Sequence, residues 1–258
     1  MANGPYLSLI IPAYNEAKRL PRSLHQLGQF CSTLPLCVEV LVVVEKSEDN
    51  TLQLAREAAC QYPFFEIVEN PHHRGKGYAV RCGMLRAQGE ILLFMDADLS
   101  VPLQEVSRFL RHFEEDPDVD ILLGSRKLAQ SRILKRQSWL RERGGNLFNW
   151  IFRKQVGLDI RDTQCGFKAF RRQAAREIFS RQQLDGFSFD IEVLLLGEKL
   201  GYRMKEVPVE WIDSPHSHVR VLRDGLRMFR DAIIVKELVR ETLLNPVCNN
   251  ASSSSSVT

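Results

Sequence analysis

No apolar run in this chain approaches the roughly 18 to 20 residues that a membrane-spanning helix needs. Its N-terminus also lacks a basic segment leading into an apolar one. Such a chain is expected to be cytoplasmic, or to sit peripherally on the cytoplasmic face of a membrane. Neither sign of charge dominates: 35 Lys and Arg stand against 32 Asp and Glu, a net charge of +3. No nucleic-acid-binding motif accompanies the basic stretches, so nucleic acid is not an expected partner. The six cysteines include no Cys-x-x-Cys and no spacing that pairs them with histidine, which favours reduced structural thiols over disulfides or zinc. There is no internal repeat. A glycine-rich phosphate loop near the N-terminus, which a sugar-nucleotide pyrophosphorylase would need, is missing as well.

What is present is an alternation of strands and helices. Leu7 to Pro12 reads as a buried strand, with a helix expected from about Arg19 to Ser32. Val38 to Val44 is a second, β-branched strand; after the polar run from Glu45 to Asn50 a helix is expected from Thr51 to about Gln61, with Asp49 or Asn50 as its N-cap. Glu66 to Glu69 is a third strand. The cationic loop Asn70-Pro71-His72-His73-Arg74-Gly75-Lys76-Gly77 then leads into a helix to about Ala87. Repeated β-α-β-α units of this kind predict an α/β fold, a mostly parallel central sheet with helices on both faces.

The next strand ends in chemistry. Ile91 to Met95 is apolar throughout and stops at Asp96-Ala97-Asp98. Ligands of open α/β sheets bind at the carboxyl ends of strands. In an extended stretch, residues two apart share a side, so Asp96 and Asp98 could converge on one hard cation, magnesium or manganese, with positions left for a diphosphate. Taken alone, such a pair could equally be a solvated turn.

After Pro102 a helix to about Glu114 and a strand from Ile121 to Leu123 are expected. From Arg126 to Lys154 there are nine Lys or Arg and one acid, Glu142, interleaved with Trp139, Phe148, Trp150 and Phe152. This is either a surface that meets phosphates and lipid or an amphipathic helix with a solvated face. Arg161 to Phe170 is a polar loop running into an aromatic strand, Phe187 opens a helix to Leu200, and Met204 to Trp211 reads as a late strand. Val219 to about Leu244 is a basic amphipathic helix, docked on the core or lying on an anionic membrane. The serine-rich end, 249–258, cannot bury apolar surface.

Together the segments LSLIIPAYNEAKRL, GKGYAVRCGMLRAQGEILLFMDADLSVP, GSR, RDTQCGFKAF and FDIEVL resemble, in order and spacing, the family 2 glycosyltransferases of the GT-A fold. Within that family they look most like the dolichyl-phosphate glucosyltransferase and mannosyltransferase branch, and RDTQCGFK with FDIEVL leans to the glucosyltransferase side. The resemblance implies one catalytic domain over 1–248, with a nucleotide-sugar half at about 7–125 and an acceptor half at about 126–245. It implies that Pro12, Ala13, Tyr14 and Glu16 line the nucleotide pocket and that Lys76 approaches the donor. Asp96 and Asp98, with Ala97 between them, would hold the divalent cation against the diphosphate, and Arg126 and Arg136 would meet phosphate oxygens. Where the family usually shows two aspartates and a glycine after the second strand, this chain has Glu45-Lys46-Ser47, so Glu45 could contact the base on a longer arm. Near the C-terminus His216-Ser217-His218 replaces the usual Gly-Ser-Lys, and the transmembrane helices common in lipid-linked relatives are absent.

The chemistry follows from the reactants. A departing nucleoside diphosphate needs a cation on its oxygens, and a single displacement inverts the anomeric carbon. The leading expectation is a metal-dependent inverting transferase moving glucose from UDP-glucose to a polyprenyl or dolichyl phosphate. A phosphate acceptor is already largely ionised at neutral pH. A hydroxyl acceptor would need a general base, for which Asp162 and Asp190 are the candidates; each also has a structural reading, as a loop hydrogen-bonder and as a helix N-cap. Two alternatives remain open: a soluble transferase using another donor such as GDP-mannose and a hydroxyl acceptor, and a non-catalytic nucleotide-sugar-binding protein.

Overall fold

In the computed structural model, which describes residues 4–135, 157–212 and 221–244, the apolar runs form the middle of one sheet. β1 (Leu7–Ala13), β2 (Val38–Glu45), β3 (Phe65–Asn70) and β4 (Ile91–Met95) pair in parallel in the order β3-β2-β1-β4. Parallel strands are covered on both faces, and alternation distributes the side chains accordingly. Leu9, Ile11, Val40 and Val42 enter one apolar layer; Ile10, Leu41 and Val43 enter the other. The first layer is closed by α1 (Leu20–Thr33), α2 (Thr51–Ala59) and α4 (Gln104–Glu115) through Leu24, Leu27, Ala55, Phe109 and Phe113. The second is closed by α3 (Lys76–Arg86), α5 (Arg172–Arg181), α6 (Phe189–Lys199) and α7 (Val221–Leu244). The expected α/β class is what forms.

The chain leaves β1 for β2 and β3 on one side and returns to β4 on the other. That reversal opens a crevice at the carboxyl ends of β1 and β4, where ligands of such sheets bind. Beyond β4 the order continues β7-β5-β8, with β5 (Ile121–Ser125), β7 (Phe167–Arg171) and β8 (Met204–Pro208). β7 runs antiparallel to both β4 and β5. Its register sets Phe167 against Met95 and Lys168 against Phe94, which delivers Gly166 to the mouth of the crevice.

The single late strand expected from Met204 to Trp211 is two. β8 ends at Pro208, and β9 (Glu210–Ile212) pairs instead with β6 (Arg132–Lys135) in a small parallel ribbon. Proline has no N–H to donate, and Val209 turns its own N–H back to the Ser125 carbonyl at 3.2 Å. The C-terminal helix takes the docked reading: Val235 and Val239 of α7 are buried in the second layer, while Ile234, Lys236 and Arg240 are exposed. Among the described residues no helix is long and apolar enough to cross a membrane, and the described cysteines are all free thiols. Arg136, most of the basic aromatic stretch, His216-Ser217-His218 and the serine-rich end lie outside the described residues.

Candidate active site

β4 ends at Met95, and just beyond it the Asp96 N–H donates to the carbonyl of Gly166, the residue before β7, at 3.2 Å. Ala97 and Asp98 then form a turn, and Leu99 adopts φ 51°. The extended backbone assumed for the acid pair is therefore replaced by a turn, and it is the turn that presents both carboxylates to the crevice. Asp98 Oδ1 accepts the Ser100 N–H at 3.0 Å and the Ser100 hydroxyl at 2.7 Å. Each acid also has a counter-charge. The Lys76 ammonium lies 2.5 Å from Asp96 Oδ1, and an Arg19 Nη1 donates to Asp98 Oδ2 at 3.3 Å. Burial alone would lower the Lys76 ammonium, but the Asp96 and Asp190 carboxylates outweigh it and hold its pKa above the usual lysine value.

The loop after β1 is stitched to the loop after β2. Asn15, at φ 53°, donates its N–H to Ser47 Oγ at 3.1 Å and accepts from Glu48 N–H at 2.8 Å. The Glu16 N–H donates to Thr51 Oγ1 at 2.8 Å, and Asp49 rather than Asn50 accepts the first α2 amide, from Thr51 at 3.0 Å. Glu16 is itself held by the Arg19 guanidinium, Nη2 donating at 2.5 Å, so Arg19 links Glu16 to Asp98. Pro12 is half-buried and Ala13 buried at the end of β1. Tyr14 stacks on His73 with ring centroids 3.7 Å apart and planes 9° from parallel. Glu45, 3% exposed, turns towards the loop before α3. Its carboxylate meets His73 Nδ1 at 2.6 Å, the Arg74 N–H at 3.1 Å and the Gly75 N–H at 3.0 Å.

Two buried ion pairs frame the other side. Asp162 accepts from Arg126 three times, from the backbone N–H at 3.0 Å, Nε at 2.7 Å and Nη2 at 2.9 Å. Burial would raise the Asp162 carboxyl, but the guanidinium wins and holds it down at about 2. Arg126 also lies over the Trp211 ring, 5.7 Å from its centre. Asp190 sits in the first turn of α6, where Ser188 and not Asp190 takes the cap position. Its partner is Lys168, fully buried, with Nζ 2.5 Å from Asp190 Oδ1 and 2.7 Å from the Cys165 carbonyl. Burial, only partly offset by Lys168 and Lys76, raises the Asp190 pKa.

Of the residues picked from sequence, Pro12 to Glu16, Glu45, Lys76, Asp96 to Asp98, Arg126, Asp162 and Asp190 fall around the carboxyl ends of β1, β2, β4 and β5. Three partners escaped that reading: Arg19, His73 and Lys168. Only Arg19 left a signal, the i, i+3 spacing from Glu16 at a helix start. The donor set suits a hard divalent cation. Asp96 and Asp98 offer only oxygen, and no cluster of three or more His, Cys, Asp or Glu side chains fit for a metal occurs among the described residues. Magnesium and manganese accept so few protein ligands when substrate phosphates and water complete the shell.

Gly166 has no room for a side chain. A Cβ there would run into the Asp96 carboxylate, so that side chain would have to swing away. Gly166→Ala is expected to lower turnover by on the order of 10²-fold through displacement of one carboxylate. Thermal unfolding should move little, and steady-state kinetics beside a melting curve separates the two effects.

An acidic turn countered by a lysine and an arginine, at the switch point of a mostly parallel sheet, is suited to a divalent cation and the oxygens of a diphosphate. The chain belongs to the family described as Glycosyl transferase family 2, whose pattern matches residues 8–179, and it is a glycosyltransferase. It is 35% identical over 252 residues to the dolichyl-phosphate beta-glucosyltransferase of Drosophila melanogaster, covering 89% of this chain and 74% of the relative. With the enzyme of the same name from Dictyostelium discoideum it shares 32% over 241 residues, 90% of this chain and 74% of the relative. Among solved structures, mannosyl-3-phosphoglycerate synthase from Rubrobacter xylanophilus superposes with a TM-score of 0.67 at 19% identity, over 96% of this chain and 79% of that one. Glucosyl-3-phosphoglycerate synthase from Mycobacterium tuberculosis, crystallised with Mn2+, UDP and glucosyl-3-phosphoglycerate, gives 0.59 at 17%, over 92% and 80%.

Proposed function

We propose that this chain transfers glucose from UDP-glucose, with inversion, to dolichyl phosphate or a similar polyprenyl phosphate. The observation that carries the proposal is the compensated acid pair: Asp96 with Lys76, and Asp98 with Arg19. Asp96 and Asp98 would hold a magnesium or manganese ion, which when bound neutralises charge developing on the departing diphosphate. Lys76 and Arg19 lie where they can follow that charge onto the phosphate oxygens. Tyr14, Glu16 and the Glu45-held His73 border the space for the nucleoside. The names of the relatives, dolichyl-phosphate beta-glucosyltransferases, support the glucosyl group and the acceptor class.

Neither candidate base is placed to take a proton. Asp162 is bound to Arg126 at three points, and Asp190 is 3% exposed and tied to Lys168. This supports an acceptor that arrives already ionised, a phosphate monoester, over a hydroxyl that needs deprotonation. Arg126, held by Asp162 and lying over Trp211, is the guanidinium that would meet the acceptor phosphate. The outer face of α7, with Ile234 44% and Leu244 69% exposed beside Lys236 and Arg240, supports peripheral contact with a membrane carrying the lipid.

The test is incubation with labelled UDP-glucose or GDP-mannose, Mn2+ or Mg2+, and a short polyprenyl phosphate. Lipid-linked β-glucose, formed from UDP-glucose and not from GDP-mannose, is the expected product. Slow metal-dependent donor hydrolysis without lipid product would move the assignment to a hydroxyl acceptor. Nucleotide binding without turnover would leave a non-catalytic nucleotide-sugar-binding protein, and absence of both would favour a scaffold.

A further inference from the structure

Glu192 is a fully buried acid that the reaction does not use. It projects from the first turn of α6 under the short connection between α5 and α6, and its two oxygens accept successive backbone amides there, Gln183 N–H and Leu184 N–H, each at 2.7 Å. The connection is in turn clamped onto the start of α3. Gln182 Nε2 donates to the Gly77 carbonyl at 3.0 Å, and the Asp185 carbonyl accepts the Tyr78 N–H at 3.1 Å. Arg81 reaches the Gln182 carbonyl at 2.6 Å, and Arg74 binds the Asp185 carboxylate through Nε and Nη2 at 2.9 and 2.7 Å. Contact is close enough that a Cβ on Gly77 would lie 2.6 Å from the Leu184 carbonyl oxygen, and one on Gly75 2.7 Å from that of Asp185. Between those two glycines stands Lys76.

We propose that Glu192 is a positioning residue for the donor: by gripping the 182–186 connection it fixes the first turn of α3, and so holds Lys76 at the diphosphate end of the site. The inference rests on the role given to Lys76 under the proposed function. The grip needs a carboxylate. Two N–H groups converge on two acceptor oxygens, and a neutral acid or an amide must turn a donor towards one of them and lose that bond. Burial raises the Glu192 pKa to about 7, against the two amides and Arg81, which favour the ionised form, and with Asp185 adding to the rise. The other charged groups near this packing have partners of their own: Arg181 pairs with Glu177 on α5, Asp190 pairs with Lys168, and Asp231 of α7 accepts from the Ser188 hydroxyl. The grip therefore loosens as pH falls through neutrality.

Glu192→Gln copies the protonated state at every pH. At pH 8 its Km for UDP-glucose, and its calorimetric Kd for UDP with Mn2+, should exceed the wild-type values by about tenfold, the equivalent of one buried hydrogen bond. Wild type should approach the variant's values at pH 6, and the variant should be flat between the two. Hydrogen exchange at the Gln183 and Leu184 amides, corrected for intrinsic rate, supplies a readout that needs no ligand: protected at pH 8 in wild type, fast in the variant. Because ionised Glu192 is itself costly to bury, the variant's melting temperature should hold or rise, so a weakened donor site in a well-folded variant is the diagnostic pattern. Wild-type donor affinity in the variant, or an unchanged pH profile, would overturn the proposal. Failure of wild type to bind UDP at pH 8 would instead count against the proposed function, and the amide exchange would still decide the grip.

Discussion

Asp96→Ala should lower sugar transfer by on the order of 10²- to 10³-fold, the loss typical of removing one electrostatic stabiliser of a transition state, with little change in unfolding temperature. The stability half of this expectation comes from exposure: the Asp96 side chain is 39% exposed and its ion pair with Lys76 faces the crevice, where such pairs contribute about 1 kcal/mol or less. Removing the carboxylate frees Lys76, whose ammonium then meets a diphosphate without competition. UDP binding in the presence of EDTA should therefore tighten in Asp96→Ala while the gain on adding Mn2+ disappears. Calorimetry with and without metal checks both signs. A variant that loses metal-free UDP binding as well would mean that Asp96 shapes the pocket rather than holding a cation.

Lys168→Met should be the most destabilising single change near the site, costing roughly 3 to 5 kcal/mol. Lys168 is fully buried, with its ammonium over the Phe94 ring, and its acidic partner Asp190 is 3% exposed, so the substitution leaves a buried carboxylate without that counter-charge. The cost should depend on pH with a definite sign. A carboxyl whose folded pKa is raised above its unfolded one binds more protons in the native state, so stability falls as pH rises through the interval between them. The Asp190 pKa is already raised by burial with Lys168 present and rises further without it. Urea unfolding should accordingly show a smaller deficit at pH 5 than at pH 8, and Lys168→Met with Asp190→Asn should recover most of the loss. A deficit independent of pH would assign the cost to packing instead.

The strands that build the crevice were legible because each is a continuous or alternating apolar run ending in polar residues: Leu7 to Pro12, Val38 to Val44 and Ile91 to Met95 lie within a residue or two of β1, β2 and β4. The acid pair was legible for the same reason, since Asp96 follows the last apolar residue of a buried strand. What the pattern does not carry is direction and partnership. Phe167 to Arg171 reads as a strand, but nothing in its composition says that it runs against its neighbours or that it inserts between β4 and β5. Gly166 and Lys168 were consequently read as parts of a loop and a strand, without the roles that Asp96 and Asp190 give them. The stacking of His73 on Tyr14 joins residues 59 positions apart through Glu45 on a third segment, a relation with no sequence period. Pro208, by contrast, was a visible interruption within the late strand, and its missing N–H accounts for the break.

β4 gives one edge to β1 and the other to β7, and β5 reaches β4 only through β7. A gene cut anywhere between Ser125 and Phe167 would therefore yield an N-terminal piece whose Ile91-Leu92-Leu93-Phe94-Met95 edge is bare, five apolar residues with unpaired amides and carbonyls, the kind of edge along which chains polymerise. Recombining the N-terminal portion of this chain with the C-terminal portion of a relative demands a crossover that keeps β4 and β7 from the same parent. The antiparallel strand makes the two portions a single unit of inheritance.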